Sequence, residues 1–193
     1  MTTPFQYSKY TLKRQVLALS GKFRLYDDSG ELVLYSQQKM FKLKEDIRVF
    51  SDETMVREVL SIHARQMIDF AAAYDVIDSV SGQKVGALRR KGFRSMIRDE
   101  WEILDAGDQI IGILREDSPL KSLLRRLLLG SLLPQSYDLL IDEHKVAEFR
   151  QQFKFIGYIL DLEFSKDNAH VIDRRLGIAA AILLATIEGK QSG

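Results

Sequence analysis

The 193-residue chain contains no cysteine, three prolines and one tryptophan. Without cysteine it can form no disulfide, no thiolate metal site and no cysteine nucleophile, and it suits a reducing compartment such as the cytoplasm. Its 28 basic residues are balanced by 27 acidic residues, so no overall field attracts nucleic acid. Any anion-binding site must therefore be a local feature of the surface.

Long apolar runs are also missing. The longest, residues 176–187, has about a dozen residues, whereas a helix needs roughly 20 to cross a bilayer. The N-terminus lacks a basic segment followed by an apolar one, so a secretory signal is not indicated. We therefore expect a cytoplasmic protein without a transmembrane span, whose only route to a membrane is peripheral contact.

A hairpin pattern is what the sequence does contain, and it recurs along the chain. Two alternating runs joined by a turn rich in Asp, Ser or Gly are typical of a β-hairpin. The pattern occurs five times, at residues 22–35, 47–63, 74–88, 101–114 and 137–149. Runs at 12–19 and 155–164 flank these hairpins and bring the predicted total to about twelve strands.

The last apolar run predicts a helix over about residues 173–188. Asp173 stands where a helix N-cap would, and the run after it is apolar on every side, so protein must surround it. Its many small residues keep it slim enough to lie inside a closed sheet, which also removes exposed strand edges. We therefore predict one mainly β domain over 1–193, a closed antiparallel barrel around this helix. The alternatives are a two-layer sheet or a dimer that shares the helix.

A second, amphipathic helix is predicted near residues 119–129, starting at Pro119. Its apolar face carries Leu120, Leu123, Leu124, Leu127 and Leu128. Its polar face carries Lys121, Ser122, Arg125 and Arg126. Such a helix is typical of contact with a membrane surface. The alternative is a lid whose leucines pack on the mouth of the barrel.

Basic or amide-rich segments follow several predicted strands, at residues 37–39, 65–66, 89–91 and 150–152. Equivalent strand ends gather at one rim of a barrel, so these segments could form a positive collar for phosphates or lipid headgroups. The candidate anion-binding residues are Arg89, Arg90, Lys91, Arg94, Arg98, Lys121, Arg125 and Arg126. The alternative is an ordinary solvated rim.

Catalytic motifs are not found. The histidines His63, His144 and His170 stand in no known metal or triad spacing, and there is no Gly-rich phosphate loop. We therefore expect a non-enzymatic protein with no cofactor, in which each histidine is a surface or structural residue.

The ordered combination of residues 10–30, the repeated strand, Asp, turn, Gly, strand units and the closing segment 173–187 resembles the LURP-one-related family, within the tubby C-terminal-like and phospholipid scramblase-like superfamily. The resemblance covers nearly the whole chain. It implies a twelve-stranded barrel around a hydrophobic C-terminal helix. Tubby-like members bind phosphoinositides, and scramblase-like members are associated with lipid movement and calcium.

Scramblase-like proteins carry an acidic segment before the terminal helix that is proposed to bind calcium, and here that region offers Asp161, Glu163 and Asp167. The spacing lacks the carboxylate series and the Gly of an EF-hand loop, and Lys166 intrudes, so we predict no metal site.

The sequence is compatible with three functions, because a shared fold does not determine a function. The first is a binding module for anionic phospholipid or phosphoinositide headgroups at the membrane periphery. The second is an intracellular protein-interaction scaffold of unknown partner. The third, scramblase-like lipid translocation, would require a cavity with converging polar groups, for which the sequence gives no sign.

Overall fold

The structure, a computed structural model, describes residues 3–17, 20–39, 46–65, 72–91, 100–117, 134–152 and 157–188. Twelve strands and one helix occur in these ranges. The strands are β1 (Lys9–Leu17), β2 (Ser20–Tyr26), β3 (Leu32–Lys39), β4 (Ile47–Phe50), β5 (Glu58–Ala64), β6 (Ala73–Asp78), β7 (Lys84–Arg90), β8 (Glu100–Leu104), β9 (Ile110–Glu116), β10 (Ser136–Ile141), β11 (His144–Gln152) and β12 (Tyr158–Glu163). The helix, α1, is Arg174–Glu188.

The strands form one closed antiparallel barrel. Each strand pairs with the next in the chain, and β1 pairs with β12, with Lys9 opposite Glu163, to close the sheet. All five predicted hairpins are present, as β2 with β3, β4 with β5, β6 with β7, β8 with β9 and β10 with β11. The predicted closed barrel is thus confirmed, and the two-layer alternative is wrong because the sheet has no open edge.

Helix α1 begins where the sequence predicts. The Asp173 carboxylate accepts a hydrogen bond from the backbone N–H of Arg175 at 2.9 Å, which satisfies a donor that has no partner within the helix. Residues 176–186 are buried, and the helix contacts β1, β6, β7 and β12. One chain therefore covers its own helix, and no second copy is needed to bury it.

Close packing explains the small residues of α1. A Cβ atom added to Gly177 would lie 2.6 Å from Cζ of Phe164, and the Phe164 ring is itself buried against Tyr10 and Phe149. Contacts this short do not occur in proteins, so only glycine fits here without moving the ring. The predicted slim helix is thus matched to the space inside the barrel.

Because neighbouring strands run antiparallel, their connections alternate between the two ends of the barrel. The turn end carries residues 27–31, 51–57, 79–83, 105–109 and 142–143, and the segment 164–173 that leads into α1. The loop end carries residues 18–19, 40–46, 65–72, 91–99, 117–135 and 153–157. Helix α1 runs from the turn end, where Arg175 pairs with Asp78, to the loop end, where Arg14 contacts Ala185.

Aspartates organise the hairpins of the turn end. In four turns a side-chain oxygen of the aspartate accepts a hydrogen bond from the backbone N–H two residues later. The bonds are Ser29 to Asp27 at 3.0 Å, Thr54 to Asp52 at 2.8 Å, Val80 to Asp78 at 2.9 Å and Gly107 to Asp105 at 2.9 Å. Bonds from Ser29 and Thr54 hold the pKa of Asp27 and of Asp52 below the usual value. The recurring Asp of the sequence pattern is thus a turn-forming residue.

Candidate loop-end surface

The segments predicted to share a rim do lie at one end of the barrel. Residues 37–39 end β3, Arg65 follows β5, residues 89–91 end β7 and continue past it, and residues 150–152 end β11, whereas Gln66 lies outside the described residues. All four positions belong to the loop end. The topology therefore brings together the basic and amide-rich segments that are far apart in the sequence.

Cations at the end of β7 are paired with carboxylates on β8. Arg89 Nη2 lies 2.5 Å from Oε2 of Glu102, and Lys91 pairs with Glu100 and lies 3.7 Å from Glu102. The hydrogen bond to Glu100 raises the pKa of Lys91 above its usual value. These cations therefore carry little uncompensated charge, contrary to the expectation of a positive collar at this point.

Two further rim cations are paired as well. Arg65 contacts Asp75 at 2.5 Å and Asp108 at 2.6 Å, and both carboxylates raise the pKa of Arg65. Arg150 Nε lies 2.5 Å from Glu148 Oε1 on the same strand. Positive charge on the described part of the rim is thus offset by acidic neighbours.

Arg90 contacts an aromatic side chain. Its guanidinium lies 6.0 Å from the centroid of the Trp101 ring, at the edge of the range for a cation–π interaction. The arginine thus lies against an aromatic side chain of the neighbouring strand, and Trp101 itself is buried. Its contribution to the rim is packing as well as charge.

The other candidate residues lie outside the described residues. They are Arg94 and Arg98 in connection 91–99, and Leu120, Lys121, Leu123, Leu124, Arg125, Arg126, Leu127 and Leu128 in connection 117–135. Their attachment points are nevertheless described. Connection 91–99 ends at Glu100 of β8, which is paired in the sheet with Arg115 of β9, close to the start of connection 117–135. The two connections are therefore anchored on neighbouring strands at one end of the barrel.

The two ends differ sharply in composition. The six loop-end connections hold ten Lys or Arg residues and five Asp or Glu residues. The six turn-end connections hold eleven Asp or Glu residues and two Lys or Arg residues. Each loop-end connection of five or more residues also includes at least three large apolar residues. The connections of the two ends thus differ in the sign of their formal charge, although the whole chain has a net charge of +1.

The carboxylates considered for calcium do not converge. Asp161 accepts hydrogen bonds from the Thr11 hydroxyl at 3.0 Å and from the Gln152 amide at 2.6 Å. Glu163 pairs with Lys9 at 2.9 Å. Both acidic side chains are thus engaged with other strands on the outside of the barrel.

Asp167 is buried and has a different role. Its Oδ2 lies 2.5 Å from Nη1 of Arg174, and its Oδ1 accepts a hydrogen bond from the Val171 N–H at 2.8 Å. Burial alone would raise the pKa of Asp167, but the bonds from Arg174 and the backbone lower it below its usual value. Within the described ranges no three acidic or histidine side chains are grouped to hold a metal ion.

His63 contacts two residues whose positions in the sequence do not indicate a contact. Its Nε2 lies 2.9 Å from the Ser61 hydroxyl, and its Nδ1 lies 2.8 Å from Asp46. Serine hydrolases use groups in this order, but here Ser61 is only 5% exposed. We interpret the three side chains as a clamp that ties the segment before β4 to β5, in keeping with the expected structural role of His63.

The fold defines a class of protein: a closed twelve-stranded barrel filled by its own C-terminal helix. The family model for LURP-one-related proteins matches residues 32–185, from β3 into α1. The chain belongs to the LURP-one-related family, which confirms the predicted family. A search of curated proteins found no significant match. Within the described part of the chain, no helix has the length and apolar character needed to cross a membrane.

Proposed function

We propose that this protein is a non-enzymatic module that binds anionic phospholipid headgroups through its loop end. One observation carries the proposal: the loop-end connections combine an excess of basic residues with large apolar residues, whereas the turn-end connections are acidic. This combination is typical of surfaces that lie at a bilayer interface, where cations meet the headgroups and apolar side chains meet the acyl region.

Salt bridges within the protein determine which cations are available to bind headgroups. Arg89 and Lys91 are held by carboxylates, so bringing them to a headgroup would first require breaking those pairs. We therefore assign headgroup contact mainly to Arg94, Arg98 and the pair Arg125 and Arg126. Each basic residue near an anionic surface contributes about 1 kcal/mol. Leucines of the amphipathic segment 119–129 add apolar contact.

The charge difference between the ends also favours one orientation. Anionic lipid attracts the loop end and repels the turn end. The barrel axis would therefore be roughly perpendicular to the membrane surface, with the acidic turns pointing away from it. Helix α1 occupies the barrel interior, which is why we assign lipid contact to the rim. In this proposal the protein is cytoplasmic and peripheral, in keeping with its lack of cysteine.

Vesicle co-sedimentation with the full chain tests the proposal. We expect binding to vesicles that contain phosphatidylserine or a phosphoinositide, weaker binding to phosphatidylcholine alone, and loss of binding at high salt. The double variant Arg125→Glu/Arg126→Glu should bind at least about 30-fold more weakly, from about 1 kcal/mol for each residue. Wild-type binding by this variant would contradict the proposal.

A matched control reverses two cations of the turn end. The variant Arg57→Glu/Lys166→Glu makes the same change in net charge at exposed positions away from the proposed contact. It should bind vesicles as the wild type does, apart from a small effect of net charge. A comparison of phosphatidylserine with phosphoinositide vesicles of equal total charge then tests whether the headgroup is a phosphoinositide.

Non-enzymatic function needs a test of its own, because Ser61, His63 and Asp46 are hydrogen-bonded in series. A fluorophosphonate probe labels serines that act as nucleophiles, and we expect no labelling of this protein because Ser61 is nearly covered. Labelling that disappears in Ser61→Ala would contradict the proposal and would assign an acyl-transfer activity to this group.

A further inference from the structure

Large apolar side chains are exposed at the turn end. Among the described residues, those with high exposure are Met55, Val56, Val80, Ile110 and Val171. Each lies in a turn-end connection or, in the case of Ile110, directly after one. Val56 is 86% exposed and Val80 is 68% exposed, so neither side chain contributes to the core. Single exposed valines are common, so these residues indicate a partner only where several of them lie on one face of this end.

The turn that carries Val56 is held in a fixed shape. Asp52 accepts hydrogen bonds from the Thr54 N–H at 2.8 Å and from the Ser51 hydroxyl at 2.9 Å. Met55 adopts φ +58°, a left-handed conformation that is unfavourable for a residue with a side chain. The chain therefore tolerates local strain at the position that presents Val56 to solvent.

The turn that carries Val80 is fixed in the same way. One Asp78 oxygen accepts the N–H groups of Val80 and Ser81, each at 2.9 Å, and the other lies 2.5 Å from Nη1 of Arg175. Arg175 belongs to α1, so this turn is tied to the helix in the barrel. Little conformational entropy would be lost if a partner covered Val80.

These two turns are neighbours. The Ser79 hydroxyl donates to Glu58 at 2.7 Å, which joins the turn of Val80 to the start of β5, directly after the turn of Val56. Ile110 follows the next turn around the barrel. The exposed apolar residues of these three turns therefore lie along one arc of the turn end, which we call the apolar arc.

We propose that the apolar arc is a docking surface for a cationic protein segment that carries apolar side chains. Charge complementarity identifies the occupant, since the connections at this end hold eleven Asp or Glu residues and two Lys or Arg residues, although Glu53 and Asp108 are already paired with cations of the strands. Exposed Asp28 and Glu31 lie in the neighbouring turn. An anionic membrane is excluded as the occupant, because the same carboxylates would repel it. Val56 and Val80 would be the apolar anchors at the centre of the contact.

Fluorescence anisotropy with synthetic peptides tests this surface on the full chain. The probe is a peptide of alternating lysine and leucine, compared with peptides in which serine replaces leucine or glutamate replaces lysine. We expect the lysine–leucine peptide to bind most tightly. Val56→Ser/Val80→Ser should weaken its binding about tenfold through loss of two apolar contacts, with an unchanged circular dichroism spectrum.

Matched charge variants test the acidic part of the surface. Asp28→Asn/Glu31→Gln, beside the apolar arc, should weaken binding severalfold and reduce its dependence on salt. Asp142→Asn/Glu143→Gln removes the same charge from the turn between β10 and β11, which lies two turns beyond that of Val80, and should have a smaller effect because it is farther from the two apolar anchors. Equal effects of the two pairs would show only non-specific attraction and would overturn the proposal.

Three further measurements test whether the apolar arc is a docking surface. Shifts of the Val56 and Val80 methyl resonances on peptide addition support the proposal, and unchanged binding by Val56→Ser/Val80→Ser overturns it. Concentration-dependent self-association that this variant abolishes would make the occupant a second copy of the chain, against the proposal. Vesicle binding by the same variant should equal that of the wild type, so failure here is distinguishable from failure of the proposed lipid contact.

Discussion

The turn end and the loop end are built by different means. At the turn end, aspartates bond the backbone of short turns, and the buried pair of Asp167 and Arg174 fixes the segment that leads into α1. At the loop end, the longer connections carry the basic and apolar residues, and buried Arg14 donates to the Ala185 carbonyl at 2.9 Å. Specific local bonds thus define the turn end, and in our proposal the connections of the loop end carry the binding surface.

The buried pair is the contact whose loss should matter most. Asp167→Asn leaves the Arg174 cation buried without its counter-charge, which costs about 3–5 kcal/mol of stability. Glu163→Gln removes an exposed partner of Lys9 at the same end and should cost less than about 1 kcal/mol. Urea unfolding measures the loss of stability in both variants. Equal losses would mean that the turn end does not depend on this pair.

Acid should weaken the turn end. The pKa values of Asp167, Asp78 and Asp52 are lowered in the folded protein, so the unfolded chain binds more protons as the pH falls. Their contribution is complete above the unfolded pKa of about 3.9 and is lost as the pH falls through the folded values. Hydrogen-exchange protection of the Thr54 and Val80 N–H groups should decline over this pH range.

At the loop end, the hydrogen bond from Arg14 to Ala185 corresponds to the buried Asp167–Arg174 pair of the turn end. Arg14→Met removes the donor to Ala185 at the end of α1 and should cost about 1–3 kcal/mol. Exchange should increase in the last turn of the helix, while the first turn stays protected by Asp173. Lys13→Met, an exposed neighbour, is the control and should change stability little. An opening at the turn end instead would contradict the assignment of this contact to the loop end.

Glycine substitutions should give the smallest difference between the ends. Gly177→Ala forces a methyl group against Phe164 and should cost about 1–2 kcal/mol, since overpacking outweighs the better helix propensity of alanine. Gly21→Ala near the loop end places its Cβ 3.5 Å from Arg14 and Phe23, an ordinary contact, and should be nearly neutral. Thermal unfolding of both variants tests whether packing is tighter at the turn end.

The strands, the hairpins and α1 were predictable because their signals are local. Alternation fixes a strand, the Asp of each turn fixes a hairpin, and the apolar run after Asp173 requires a surrounding sheet. The partners of the rim cations were not predictable in the same way. Arg89 meets Glu102 because β7 and β8 pair in a register that places the two residues opposite each other, and no spacing within either strand indicates that register.

The contacts of the clamp residues could not be predicted from the sequence either. Ser61, His63 and Asp46 come together only because β4 pairs with β5, and no spacing in the sequence indicates the contact. The position of the basic segments at one end was predictable from strand direction alone. Whether each cation has a partner depends on side chains from neighbouring strands, which the chain brings together only on folding.

The position of α1 has a consequence for biosynthesis. Residues 174–188 are made after all twelve strands, and β1 must wait for β12 before the sheet can close. Until that point the inner faces of the strands have no helix to cover them. A ribosome-bound chain that has reached only residue 173 would therefore expose the apolar lining of the barrel, which makes it a substrate for chaperones until the final segment emerges.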